Sequence, residues 1–295
     1  MNSILITGCN GFLGQHLTLF FAAKGFNVIA VGRAECRIKT PATFIYESVD
    51  LTNHTAVNNC LQKHKPSVII HAAAMSKPDE CNNNKNLCLL QNVEVTKFLI
   101  ESAVAFAPHF IYISTDFIFG EDGPHAENAT PDPLNFYGET KLMAEQLVKK
   151  SGLLYAIVRP VFIYGKMLEG MRPSFLHWVK NNLEQHKSIK VVSDQQRTPT
   201  YVEDICKGIL SIIAKKEMGE YHLAGKDILS PYQMAVAVAN IFGLDVSLIE
   251  NVTSASFPEP VRRAKKSGLN ITKAINQLSY QPVTFEEGVK LSFTD

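Results

Sequence analysis

Short apolar runs alternate with longer stretches of helical period along the first 160 residues. The runs Ser3–Thr7, Asn27–Val31, Thr43–Glu47, Val68–His71, Phe110–Ser114 and Leu154–Arg159 are rich in Val, Ile, Tyr and Phe and end at polar or glycine-containing turns, which predicts strands. Between them, Gly11–Lys24, Thr55–His64, Cys88–Ala107 and Pro133–Lys150 predict helices. Strands this uniformly apolar are buried on both faces, as parallel strands are. The alternation therefore predicts an α/β fold, a Rossmann-type doubly wound parallel sheet. Beyond residue 160 the rhythm changes, and helices such as Ser174–His186 and Pro231–Phe242 dominate. We expect residues 1–160 to form the first domain and 161–295 a smaller, mainly helical substrate lobe. The boundary is soft, and some later elements return to the first domain.

Composition narrows the function. The 295 residues are 46% hydrophobic, enough for a large core, and 29 basic residues face 28 acidic ones. A formal charge of +1 gives no reason to expect nucleic acid or a membrane surface as partner. No leader or membrane-length apolar run is visible. The six cysteines (Cys9, Cys36, Cys60, Cys81, Cys88 and Cys206) show no metal-ligand spacing. Reduced thiols in a cytoplasmic protein, with no metal, are the expectation.

The first strand runs straight into Gly8-Cys9-Asn10-Gly11-Phe12-Leu13-Gly14 and then a helix. Gly8 permits the tight turn, Gly11 lets backbone approach a pyrophosphate, and Gly14 lets helix and strand pack closely. The helix N-terminus then offers free N–H groups to phosphate. The second strand ends Val31-Gly32-Arg33, where an NAD enzyme usually places an acid for the ribose 2′-hydroxyl. Arg33 instead suits a 2′-phosphate, so NADP(H) is expected, with NAD(H) second because Glu35 lies just beyond. Asp50 and Leu51 follow the third strand and suit the adenine, although Asp50 could equally cap a helix near Asn53. Ala72, Ala73 and Ala74 follow the fourth strand, and their small side chains leave room for a cofactor or for tight packing.

Ser114-Thr115-Asp116 ends the fifth strand, where the ligand crevice of such sheets lies. Tyr137 and Lys141 follow at i and i+4, on one helix face. A free tyrosine, with a pKa of about 10, is a poor base at neutral pH, and a neighbouring ammonium favours its phenolate. Tyr137 can then exchange a proton with a carbonyl oxygen that the Thr115 hydroxyl holds in line. Asp116 could touch the nicotinamide edge or the substrate, or cap a turn.

These stretches, with Pro133–Lys141 and Thr198–Asp204, resemble the extended short-chain dehydrogenase/reductase superfamily, and more narrowly its dTDP-4-dehydrorhamnose reductase branch. The resemblance implies that Thr115, Tyr137 and Lys141 are catalytic. It implies reduction by NADPH of the 4-keto group of a nucleotide-linked deoxysugar. It places Arg159-Pro160-Val161 by the nicotinamide, with Ser114 and Pro160 among the cofactor contacts. Asp116, Phe117, Arg197 and Tyr201 fall on the substrate side, and the basic cluster from Arg262 to Lys266 meets either the diphosphate or solvent. A homodimer is compatible with it. His71 stands where the branch often has Asn, and the C-terminal match is loose, so the exact sugar is open. Two alternatives remain. One is a nucleotide-sugar epimerase, against which Arg33 speaks. The other is a non-catalytic regulatory protein resembling the β subunit of methionine adenosyltransferase. A 4,6-dehydratase would carry Asp-Glu after the threonine, whereas Asp116-Phe117 follows Thr115.

Overall fold

A computed structural model describes residues 3–171, 173–258 and 260–294. The first six strands are β1 (Ser3–Thr7), β2 (Asn27–Gly32), β3 (Ile45–Ser48), β4 (Val68–His71), β5 (His109–Ile113) and β6 (Tyr155–Arg159). Short strands β7 (Ile163–Tyr164), β8 (Ile189–Val192) and β9 (Thr200–Tyr201) follow, then β10 (Gly219–His222) and β11 (Ile249–Val252). Seven of them build one parallel sheet, in the order β10-β6-β5-β4-β1-β2-β3. The sheet was expected. Its seventh strand was not, because Gly219-Glu220-Tyr221-His222 carries too little apolar signal to stand out.

The pleat explains why the strands are apolar throughout. Ile4, Ile6, Val28, Ile111 and Ile113 enter one core, while Leu5, Ile29, Val31, Phe110 and Tyr112 enter the other. The first core is covered by helices α1 (Phe12–Ala23) and, later in the chain, α8 (Val202–Lys215). The second is covered by α2 (His54–His64), α5 (Val95–Ala103) and α6 (Phe136–Lys149).

Between β4 and α5 the chain makes two short helices, α3 (Pro78–Asn83) and α4 (Lys85–Leu89). A π-helical turn, Leu90–Glu94, joins α4 to α5 where one continuous helix was predicted. A third core gathers α7 (Phe175–Glu184), α9 (Pro231–Phe242) and α11 (Phe285–Ser292) around strands β8, β11, β7 and β9. Helix α10 (Thr272–Leu278) packs instead beside α8 and β10. Material beyond residue 160 thus contributes both to the large sheet and to a separate core. Among the described residues, no helix is long and apolar enough to cross a membrane, and all six cysteines are free thiols.

The order of the strands reverses between β1 and β4, which opens a crevice at their carboxyl ends. The remaining geometry is arranged around that crevice.

Candidate active site

The β1–α1 turn shows why glycine is required. Gly8 has φ +72, and a Cβ there would come within 2.8 Å of the Ala73 backbone across the crevice. A Cβ on Gly14 would come within 2.1 Å of the Gly8 carbonyl oxygen. Helix α1 starts at Gly11 with no side-chain cap and no acid in its first turn. Its first N–H groups have no intrahelical partner and face the crevice. Asn10 ties the next loop down, donating to the Arg33 and Glu35 carbonyls (3.2 and 3.0 Å) and accepting from Arg37 N–H (2.8 Å).

A cavity of about 780 Å³ runs along the carboxyl ends of the strands. Gly8, Gly11, Phe12, Leu13 and Gly14 line its floor. Arg33, Asp50 and Leu51 border one end, and Ala72, Ala73 and Ala74 form a side wall. At the far end stand Ser114, Thr115, Asp116, Phe117, Tyr137 and Lys141, with Pro160 opposite. Asp50 does not cap α2, whose cap is Asn53. The Asp50 carboxylate accepts from the N–H and hydroxyl of Thr52 (3.0 and 2.8 Å). Those bonds, with Arg33 nearby, hold its pKa below the ordinary range.

An elongated cavity with exposed helix N–H groups, a glycine cradle and a guanidinium at one end fits a dinucleotide with an extra phosphate. Among the described residues, Ser114 Oγ and Gln15 Oε1 are two of six buried side-chain atoms without a hydrogen-bond partner. Ser114 lines the cavity, as a donor awaiting a ligand would.

The chemistry-bearing side chains are buried. Tyr137, Thr115 and Asp116 are each less than 10% exposed, and Lys141 is 2% exposed. Asn135 caps α6 by accepting from Gly138 N–H (3.1 Å), which sets the register that presents Tyr137 and Lys141 together. A Cβ on Gly138 would lie 2.1 Å from the Phe117 carbonyl oxygen, so only glycine lets α6 press against the loop after β5. Phe117 meets the Tyr137 ring edge to face at 5.5 Å. Burial raises the Tyr137 phenol above its usual pKa, and the facing Thr115 hydroxyl opposes the rise. Burial brings Lys141 down to about 7, against the pull of Glu145. Its ammonium donates to the Ile113 carbonyl (2.7 Å). Asp116 accepts from the Thr115 hydroxyl (3.2 Å), and burial raises its pKa while Arg197 pulls it back.

Two expected substrate residues do not reach the cavity wall. Tyr201 is 5% exposed and packs in the third core against Tyr164, at 5.9 Å between ring centroids. It lies on β9, and its side chain points inward because that small sheet must bury one face. Arg197 sits behind Asp116, with its guanidinium on Ser267 Oγ (2.9 Å) and Gln195 Oε1 (2.7 Å). Arg159, placed by resemblance beside the nicotinamide, turns away. Its guanidinium forms a buried fork on Glu145 (2.9 and 2.7 Å), and only Pro160 of that tripeptide lines the cavity. The basic cluster is largely engaged: Arg262 with Glu121 (3.8 Å), Arg263 with Asp79 (2.6 Å) and Lys265 with Asp194 (3.0 Å).

Three residues that sequence reasoning passed over matter here. Asn10 holds the Arg33 loop. Asn92, in the π turn, accepts from Met75 N–H (2.8 Å) and donates to the Met75 carbonyl (3.1 Å) and Thr140 Oγ1 (3.0 Å). Glu145 lies one turn beyond Lys141 on the same face, and that spacing was legible.

Methionine adenosyltransferase 2 subunit beta of Pongo abelii is 30% identical over 300 residues, covering 98% of this chain and 86% of that protein. The dTDP-4-dehydrorhamnose reductase of Bacillus anthracis in complex with NADP superposes with a TM-score of 0.87 at 26% identity, covering 99% of both chains. A dTDP-4-dehydrorhamnose reductase from Clostridium acetobutylicum gives a TM-score of 0.84 at 31% identity over 98% of both. The sequence model of one family, described as the RmlD substrate binding domain, spans residues 1–295, and the chain belongs to that family.

Proposed function

We propose that the chain is an NADPH-dependent reductase of the 4-keto group of a nucleotide-linked deoxysugar. The observation that carries this reading is the convergence of Thr115, Tyr137 and Lys141 at one end of a cavity bordered at the other by Arg33. The NADP complex of the Bacillus anthracis reductase supports the coenzyme. The pyrophosphate would rest on the Gly11 end of α1, and Arg33 would take the 2′-phosphate.

NADPH, when bound, supplies hydride to the carbonyl carbon. The residues do the rest. The Thr115 hydroxyl, which gives its one proton to Asp116 in the structure, would turn it to the carbonyl oxygen and orient it. Tyr137, which burial keeps protonated, gives its hydroxyl proton to that oxygen. The Lys141 ammonium stabilises the phenolate left behind. Pro160 and Phe162 form an apolar wall that excludes water. Asp116 and Phe117 border the sugar, and Arg197 holds Asp116 from behind. The same reading expects a cytoplasmic protein, with sedimentation deciding between a monomer and a homodimer.

The test is NADPH consumption, followed by absorbance, with a panel of nucleotide-4-ketosugars. Turnover of at least one is the expected result. NADPH binding with no turnover of any would overturn the reading. A second reading, a regulatory subunit without catalysis, is favoured by the methionine adenosyltransferase relatives. It predicts no turnover but a stable complex with a methionine adenosyltransferase catalytic subunit.

A further inference from the structure

Lys141 places its amino group where charge is costly, at 2% exposure. One N–H goes to the Ile113 carbonyl at the end of β5 (2.7 Å). The nitrogen also stands 4.1 Å from the centroid of the Tyr112 ring. A cation within about 6 Å of an aromatic face is attracted by the ring quadrupole, most strongly where water is excluded.

The other groups facing this ammonium are few. Tyr137 and Glu145 lie one turn either side on α6, Cys81 and Cys88 approach from α3 and α4, and His71 from β4. Both thiols are buried, and His71 is held neutral by burial. Glu145 is shared, since both its oxygens accept from Arg159. Tyr112 has no competing task of that kind. It is fully buried, and its hydroxyl faces Thr96 Oγ1, which already engages His71 (3.1 Å) and the Asn92 carbonyl (2.7 Å).

We propose that Tyr112 is a positioning residue whose ring face holds the Lys141 ammonium against the end of β5, on the helix face it shares with Tyr137. The contact is a property of the chain alone, and its consequence for proton transfer rests on the reductase reading. A ring lost from this position loosens the lysine and disfavours its charged form. Proton donation by Tyr137 then slows without a change in sugar affinity.

The experiment is an NMR titration of the full chain, isotopically labelled at the lysine ε-carbon. Lys141 is identified as the signal missing from Lys141→Arg. It titrates near 7, whereas exposed lysines titrate at about 10. Tyr112→Phe keeps the ring and leaves the midpoint in place. Phenylalanines of increasing fluorination at the same position keep the shape but drain the ring face. They lower the midpoint stepwise by up to about one pH unit, a tenfold change in the dissociation constant of the ammonium. A midpoint indifferent to fluorination overturns the proposal. So does a fall in Tyr112→Phe as large as in the fluorinated series, which would assign the effect to the hydroxyl. Kinetics keep the two readings apart. A stepwise midpoint with no turnover of any ketosugar leaves the ring contact standing and removes the reductase, and turnover with a fixed midpoint does the reverse.

Discussion

On the proposed reductase reading, Tyr137 is a phenol before the reaction and a phenolate after it, and its surroundings divide that work. Burial keeps the proton on, and Lys141 makes its departure affordable. Tyr137→Phe removes the proton and little else. The expected result is a fall in kcat of about a hundredfold to ten-thousandfold, the usual worth of a general acid, with NADPH affinity unchanged in a fluorescence titration. Arg33 makes a separable contribution. It is exposed on a loop whose Arg33 and Glu35 carbonyls accept from Asn10, so the backbone is held while the guanidinium stays open to solvent near Asp50. Arg33→Asp should weaken NADPH binding about tenfold or more, the scale of a lost charge-assisted hydrogen bond, and leave NADH nearly untouched. Equal losses for both coenzymes would remove the 2′-phosphate assignment.

The elements hold these residues through close backbone approaches. Helix α6 carries Tyr137 and Lys141, and it can press on the loop after β5 because position 138 has no Cβ. In Gly138→Ala the new atom would meet a carbonyl oxygen, which cannot swing aside. We expect a loss of about 1–3 kcal/mol in denaturant unfolding, typical of overpacking, together with a marked drop in kcat. Gly208→Ala is the control. Gly208 lies on α8, and its added atom would meet the tip of the Leu223 side chain just past β10, so stability can fall while kcat holds. A Gly138→Ala enzyme with unaltered kcat would show that α6 docking does not set the geometry. At this scale the sequence was informative about β1, β4 and α9, whose bounds Ser3–Thr7, Val68–His71 and Pro231–Phe242 were read as they stand. It was blind to the π turn at Leu90–Glu94, because the helical period runs through it. What breaks the helix is a tertiary demand, the reach of Asn92 to Met75 and Thr140. Tyr201 failed for a related reason. Its motif suggested a site, and only the pairing of β7 with β9 shows that its ring is core.

Across the whole molecule, two buried histidines tie the site to the fold and make it sensitive to acid. His71 closes a chain of hydrogen bonds between the crevice wall and the helix that carries Asn92. Ala73 N–H donates to Thr7 Oγ1 (3.3 Å), which pairs with His71 Nδ1 (2.7 Å). His71 Nε2 pairs with Thr96 Oγ1 (3.1 Å), whose own proton goes to the Asn92 carbonyl (2.7 Å). That pattern puts a proton on Nε2, since Thr96 can only accept, and burial keeps the ring neutral, so Nδ1 accepts from Thr7. His222 is likewise neutral at β10 but carries its proton on Nδ1, donating to the Asn270 carbonyl (3.1 Å) while Nε2 accepts from Arg159 (3.2 Å). Burial brings both down to about 3, with Lys141 adding to the effect on His71 and Arg159 to that on His222. The direction of the linkage follows. In the unfolded chain each histidine gains its proton below about pH 6.5, while in the folded chain it stays neutral. Full stability is present above that pH and is lost as pH falls toward 3. Each histidine contributes a slope of about 1.4 kcal/mol per pH unit through that window. Replacing His71 by Asn, an amide that cannot take up the proton, should lower stability at pH 7. It should also flatten the dependence by about 1.4 kcal/mol per unit between pH 6 and 5, read from urea unfolding at each pH. A slope unchanged by His71→Asn would mean that the ring is already protonated in the folded chain, and the chain of hydrogen bonds from Ala73 to Asn92 would have to be drawn differently.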